Sequence, residues 1–301
     1  MFWHIIIFSI CGIALGILIY RVVNIARLPV HLRWELAPVP HDKTREKYGG
    51  SYLEEQEWWK KPVRKSIIQP LKYMAAEIIF LRGVWKNNRS LWPFSLCLHS
   101  GIYLMIGMLF LCLINALLIA IELPADITDI MAETISYMAL ISFLTGSVGA
   151  ISLVFKRLID HDLKPFSTAG SFFNLVLLAI VFVSGAVCWF YQGEFGDLLS
   201  LFLSKLITLE VIRVMPLTFI LYVAISLLFF LYLPVSSMTH FMIKYFLYHA
   251  VRWNDKPLNA RMESELRNLL AEKPHWSAAH TGTDGQKTWG EIGNGVRDEK
   301  Q

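Results

Sequence analysis

The chain has 301 residues, 55% hydrophobic and only 17% charged, with a formal net charge of +4; an ordinary soluble domain is about 25% charged. All 52 charges sit on 168 residues, because residues 1–20, 90–121, 134–155, 165–193 and 214–243 contain no Asp, Glu, Lys or Arg. Such runs exclude a soluble enzyme, and they exclude a β-barrel, whose strands alternate apolar with polar residues; the small net charge gives no reason to expect nucleic acid.

Crossing a hydrocarbon core roughly 30 Å thick takes about 20 apolar residues at the helical rise. Each of the five stretches reaches that length, so the sequence predicts an all-α integral membrane protein with five transmembrane helices. The first, residues 1–20, has no basic n-region and no small-residue cleavage pattern before Arg21, and is expected to be retained. The segment 21–91 follows, with fourteen Lys/Arg against seven Asp/Glu between residues 21 and 89. Within it Ile67, Ile68, Leu71, Met74, Ala75, Ile78 and Ile79 recur at helical spacing near Lys65, Lys72 and Arg82. That pattern predicts an amphipathic helix along the membrane interface, and Trp58, Trp59, Trp85 and Trp92 fit an aromatic belt.

Residues 92–247 hold the other four spans and are expected to form a four-helix bundle. The connection 122–133 carries Glu122, Asp126, Asp129 and Glu133 with no base, whereas 156–164 carries Lys156, Arg157 and Lys164. Residues 194–213 read as a loop with Lys205 and Arg213 as its bases, and the tail after 243 has nine Lys/Arg against eight acids. Basic residues concentrate on the cytoplasmic side of membrane proteins, which puts the N-terminus outside and the C-terminus in the cytoplasm. In the tail, 248–301, Pro257 opens a second amphipathic run with Leu258, Met262, Leu266, Leu269 and Leu270 on one side. A Gly-rich stretch with Trp276 and Trp289 comes after Pro274. The tail is too short for a core of its own and reads as a docking element for a cytoplasmic partner, the alternative being a disordered tail.

The chemistry-bearing residues are few. Cys11, Cys97, Cys112 and Cys188 all lie in apolar stretches and none forms a C-x-x-C pair. The chain therefore has no set of closely spaced thiolates for an iron–sulfur cluster. Of nine histidines, only His4, His99 and His240 fall within apolar stretches, where an ionisable side chain is a functional candidate by default. His99 lies roughly 9 Å along its helix from Pro93, and His240 about 35 Å from Pro216 on a straight helix, so both are expected in the inner half of the membrane. Two imidazoles from different helices at one level suit the axial positions of a haem iron; the other reading is a pair of polar residues bonding between helices. Gly101, Gly107, Gly146 and Gly149 leave room for a macrocycle or for close helix contact. Arg82, Lys86, Arg89, Lys156, Arg157 and Lys244 are basic residues at the same end that suit haem propionates.

Five helices with the N-terminus outside, a histidine in LCLHSGIYL and another in FLYLPVSSMTHF together resemble the γ subunit of respiratory nitrate reductase, a dihaem cytochrome b that exchanges electrons with quinol. The insert with RWELAPVPHDK, YGGSYLEEQEWW and FLRGVWKNNRSLW, and the TWGEIGNG tail, are similar to a sub-branch. There the cytochrome b partners a heterodisulfide-reductase-like iron–sulfur protein, as in membrane complexes linked to dissimilatory sulfite reduction. The resemblance covers roughly residues 1–250 and implies that His99 and His240 hold the haem nearer the cytoplasm. At the positions of the family's outer-haem ligands this chain has Leu109 and Tyr222, so one haem b is expected. His4 is the remaining candidate for a displaced second haem, with Met131, Met138 or Met215 as its conceivable partner.

The resemblance further implies a quinone-reacting subunit of a multi-subunit oxidoreductase, inactive alone, that passes electrons between menaquinone and a cytoplasmic iron–sulfur subunit of heterodisulfide-reductase type. Further membrane or extracytoplasmic cytochrome c subunits are conceivable partners. Tyr103 and Tyr222 are candidates for hydrogen bonds to the quinone. Two rival readings remain: a haem-free anchor that recruits the same partner, and a transporter with a His99/His240 proton relay. The relay would need carboxylates within the bilayer, and the five stretches contain none.

Overall fold

The computed structural model describes residues 2–27, 56, 68–212, 215–242, 260–278 and 282–295. The expectations for Trp58, Trp59, Lys65, Ile67, Arg213, Lys244, Pro257 and Leu258 lie outside these residues, as do RWELAPVPHDK and all but one residue of YGGSYLEEQEWW. The described chain is mostly helical, and five of its helices are long and apolar enough to cross a membrane. It is a multi-pass membrane protein.

The chain divides into two compact units, the first comprising Met1–Arg21 with Lys65–His240, the second Val22–Arg64 with Phe241–Gln301. The first unit holds most of helix α1 (Phe2–Arg27), the short helices α2 (Ile68–Ile79) and α3 (Arg82–Asn87), and the long helices α4 (Trp92–Ala120), α5 (Ala125–Ile159) and α6 (Ala169–Gln192). Helices α7 (Phe195–Ile207) and α8 (Leu217–Tyr232) complete it. Sequence sets the boundaries. Pro93 occupies the first turn of α4, where its missing N–H costs nothing. Asp126 opens α5, and Lys156 and Arg157 close it, matching the partial charges at the helix ends. The Thr168 hydroxyl caps α6 by accepting from the Ser171 N–H, and α6 stops at Gly193 with φ 68°.

Helix α4 packs along α5, α5 along α6, and α6 along α8. One end of these helices is acidic, where α4 turns into α5 through Glu122, Asp126, Asp129 and Glu133. The other end, with Lys156 and Arg157, is basic. Between α4 and α5 the backbones nearly touch. A Cβ on Gly101 would lie 2.5 Å from the Gly146 nitrogen, and one on Gly149 would overlap the Leu98 backbone. The Ser142 hydroxyl, fully buried, donates to the Gly101 carbonyl at 2.8 Å and locks the crossing. With lipid outside, such close packing is the main force holding helices together.

Residues 194–213, expected as a loop, contain the thirteen-residue helix α7. Phe195, Leu199, Phe202 and Leu206 recur on one face and are buried against α4 and α5. A Cβ on Gly196 would overlap the Ala132 carbonyl, so α7 lies flush on α5 at the acidic end. The bundle there has a fifth member. The last span also departs from the straight helix expected through His240. Its α-helix ends at Tyr232, and two 3-10 turns, Leu233–Val235 and Ser237–Thr239, carry the chain to His240. Pro234 is the cause, because it has no N–H to continue the ladder.

The second unit contains helix α9 (Ala260–Ala271), a hairpin of β1 (Ser277–Ala278) and β2 (Thr283–Asp284), and helix α10 (Trp289–Gly295). The TWGEIGNG phrase is a capping box. Thr288 N–H donates to Glu291 Oε2 at 2.7 Å, and Glu291 N–H returns a bond to Thr288 Oγ1 at 3.3 Å. The Thr288 bonds hold the Glu291 carboxyl below its usual range. The Trp289 N–H donates to the Glu272 carbonyl at 3.0 Å, and Trp276 meets Trp289 edge-on at 5.9 Å. This part of the tail is therefore a small folded piece built on α9.

Gly149→Ala is expected to lower stability by at least about 1–3 kcal/mol, since the obstacle is backbone. Gly12→Ala, where an added Cβ meets open space, is expected to be neutral. Thermal midpoints from fluorescence-detected size exclusion in detergent check the pair; equal midpoints would contradict the close α4–α5 contact.

Candidate functional site

Helices α4 and α8 share no extended packing with each other. His99 sits on α4, two turns in from its start, and His240 stands just beyond the second 3-10 turn after α8, both toward the basic end. Each ring is anchored the same way. His99 Nδ1 lies 2.7 Å from the Ser95 carbonyl, and His240 Nδ1 lies 3.3 Å from the Ser237 carbonyl. A carbonyl only accepts, so Nδ1 carries the hydrogen in both rings. In neutral imidazole this leaves the lone pair on Nε2, the arrangement in which backbone carbonyls orient metal-ligating histidines. His99 is half-buried and His240 exposed.

His4 has the opposite arrangement. It is 5% exposed, and its Nε2 lies 3.2 Å from the Lys205 carbonyl at the end of α7, so Nε2 carries the hydrogen. Its Nδ1 is buried without a partner. With Trp3 edge-on to Phe202 at 6.2 Å, His4 fastens α1 to α7 at the acidic end.

At that end the space between α4 and α8 is filled. Tyr222 is 4% exposed and its ring meets Phe143 at 5.5 Å and Phe195 at 5.6 Å. Phe202 stacks edge-on to Phe219 at 5.3 Å. Asn115, fully buried, donates to Thr128 O and Ser200 Oγ, both at 3.1 Å, tying α4 and α7 together. Leu109 is 40% exposed on the outer surface of α4 and takes no part in this cluster. Helix α7, absent from the sequence expectation, contributes Phe195 and Phe202 to this cluster.

Tyr103, Lys156, Arg157 and Arg89 all have partners. The Tyr103 hydroxyl donates to the Ile78 carbonyl at 2.6 Å, and Trp92 Nε1 donates to the Phe80 carbonyl at 2.8 Å. Together they hold the end of α2 along the basic half of α4, on the face that carries His99. Lys156 pairs with Asp160 at 2.8 Å and holds that carboxyl below its usual range. Arg157 Nη1 donates to Ser167 Oγ at 3.3 Å, while its Nε–H is buried without an acceptor. The Arg89 guanidinium lies over the Trp85 ring, 5.0 Å from its centroid.

Sequence reading missed two polar anchors beside His240. Asn174, 8% exposed on α6, accepts from the Tyr232 hydroxyl at 2.8 Å and donates to Ser237 Oγ at 2.9 Å. Arg21 on α1 donates through Nη1 to the carbonyls of Pro234 and Ser236. The signal for Asn174 was a neutral amide inside an uncharged stretch, and for Arg21 the first charge after one. Compared with models of protein families, with curated proteins and with solved structures, the chain finds no match.

Tyr103→Phe removes the bond to Ile78, a contribution of about 0.5–1.5 kcal/mol. Amide hydrogen exchange of residues 68–79 is expected to speed up by roughly three- to tenfold, a factor that follows from that energy; unchanged exchange would show that α2 is held by other contacts.

Proposed function

We propose that this chain is the cytochrome b subunit of a membrane oxidoreductase, moving electrons between menaquinone and a cytoplasmic iron–sulfur subunit of heterodisulfide-reductase type. The observation that carries the reading is the matched anchoring of His99 and His240, each with Nδ1 bonded to a carbonyl of the preceding turn. Two imidazoles so oriented, one on α4 and one just beyond α8, suit the ligand pair that one haem b would need. The phrases LCLHSGIYL and FLYLPVSSMTHF, which resemble the γ subunit of respiratory nitrate reductase, support the same pair.

The bound haem supplies one-electron chemistry; the chain supplies ligation, dielectric and position. His99 and His240 would hold the haem iron, their Nδ1 atoms being taken up by backbone carbonyls. Arg157, with a buried Nε–H lacking an acceptor, fits a propionate better than Lys156, which is spent on Asp160. Arg89 serves as a second cation at that end, its charge set over Trp85. The packing of Tyr222 against Phe143 and Phe195, with Tyr222 buried among rings, favours a single haem. The same packing argues against Tyr222 as a quinone ligand, and Tyr103, bonded to Ile78, serves the site by holding α2. His4 acts as a fastener rather than a ligand, since its Nε2 is committed to Lys205.

The excess of Lys/Arg on the basic end supports a cytoplasmic location for it, with the acidic end outside. Electrons then reach the haem on the side where a cytoplasmic cluster docks. The chain's four cysteines are dispersed in apolar stretches, so the clusters belong to the partner. The capped helix α10 packed on α9 gives the tail a defined surface for that partner.

Pyridine haemochrome analysis of the purified complex is expected to give about one protohaem per chain. His99→Ala and His240→Ala should each abolish the Soret and α bands; normal bis-imidazole absorbance in either would remove that residue as a ligand. A wild-type chain without haem, still bound to its iron–sulfur partner, would favour the haem-free anchor. Truncation before Pro257 should release the partner and leave the haem spectrum intact; unchanged co-purification would make the tail dispensable.

A further inference from the structure

The broken end of α8 leaves a problem that a neighbouring helix solves. In a continuous helix the carbonyls of Pro234 and Ser236 would accept from N–H groups four residues on, but Pro234 interrupts the ladder and the chain proceeds in 3-10 turns. Backbone groups near hydrocarbon need partners. Arg21 provides them: Nη1 donates to both carbonyls, at 3.2 Å for Ser236. The Ser236 carbonyl also accepts from Thr239 Oγ1 at 3.0 Å, and the next carbonyl, Ser237, accepts from His240 Nδ1. One guanidinium therefore grips the peptide immediately before the one that orients the His240 ring. On the opposite side Asn174 holds Ser237 Oγ.

We propose that Arg21 is a positioning residue for His240, fixing the pair of 3-10 turns that sets the height and plane of its imidazole. The inference rests on the reading of His240 as a haem ligand. It assigns α1, otherwise largely exposed along its length, a purpose beyond crossing the membrane: His4 fastens its start to α7 and Arg21 delivers a charge to the His240 turn. A planar, permanently charged fork is suited to two carbonyls in a way a lysine ammonium is not. Arg21 is also a topology-setting charge, and the test separates the two roles by comparison with Arg27, the next base on the same helix, which lies in its last turn.

The experiment uses the full-length chain in its purified complex, with haem content, the redox midpoint and the low-spin ferric EPR signal as readouts. Orienting partners of metal ligands typically change metal affinity by about 10–100-fold. Arg21→Gln is expected to weaken haem retention by at least about tenfold and to move the largest g value and the midpoint of the haem that remains. Arg21→Lys is expected to retain haem with a smaller shift of the same signals, and it carries the test if the Gln variant does not accumulate. Arg27→Gln is expected to match wild type. Wild-type EPR, midpoint and haem content in Arg21→Gln or, failing that variant, in Arg21→Lys, would overturn the proposal, as would an equal change in Arg27→Gln. A wild-type chain without haem would fail the ligand reading itself and this inference with it, whereas a haem-loaded wild type with an indifferent Arg21 fails the inference alone.

Discussion

Helix α4 is positioned by a contact that has no room for a side chain. Gly101 and Gly149 let the α4 and α5 backbones meet, and the buried Ser142 hydroxyl bonds across the contact. In a bilayer the surrounding lipid is as apolar as the helix surface, so burial alone holds nothing together and close packing has to. His99 lies one residue from Leu98 and two from Gly101, inside that contact zone. Its height and rotation are consequences of the glycine seam. Packing of α5 on α6 and of α6 on α8 then carries the geometry to the other histidine.

The two ends of the bundle have been put to different uses. At the acidic end, helix α7 and the rings of Phe143, Phe195 and Tyr222 make a packed plug between α4 and α8. At the basic end the last span gives up its helical ladder at Pro234; its carbonyls accept from Arg21, Ser236 and Thr239, and Asn174 holds the Ser237 hydroxyl. A broken helix near hydrocarbon is tolerated where protein groups satisfy it. The second 3-10 turn brings the Ser237 carbonyl to His240 Nδ1 and so orients the ring. In the proposed account, a single haem at this end is the natural result of a plugged acidic half.

Much of the architecture was legible because its cause is local. Charge-free runs give the five spans directly, since the length needed to cross a bilayer is fixed. Helix α7 was not legible as a helix, although Phe195, Leu199, Phe202 and Leu206 stand at the right spacing, because Asp197, Lys205 and Glu210 made its stretch look like a connection. Pro234 was in view, yet its consequence depends on partners 60 and more residues away, at Asn174 and Arg21. For the candidate site, His99 and His240 stood out as imidazoles in uncharged stretches, while their shared Nδ1–carbonyl anchoring was not legible. Nor could composition distinguish the tyrosine at 103, which grips Ile78, from the one at 222, which is sealed among aromatic rings.

The central claim is that His99 and His240 hold a haem that exchanges electrons with quinol. Mixing the oxidised, purified complex with a reduced menaquinone analogue and recording the visible spectrum tests it directly. The account predicts that the sharp α band of a reduced b-type haem rises within the mixing experiment and is suppressed by a quinone-site inhibitor. A complex with no Soret band, or with a haem that dithionite reduces and quinol does not, would contradict it.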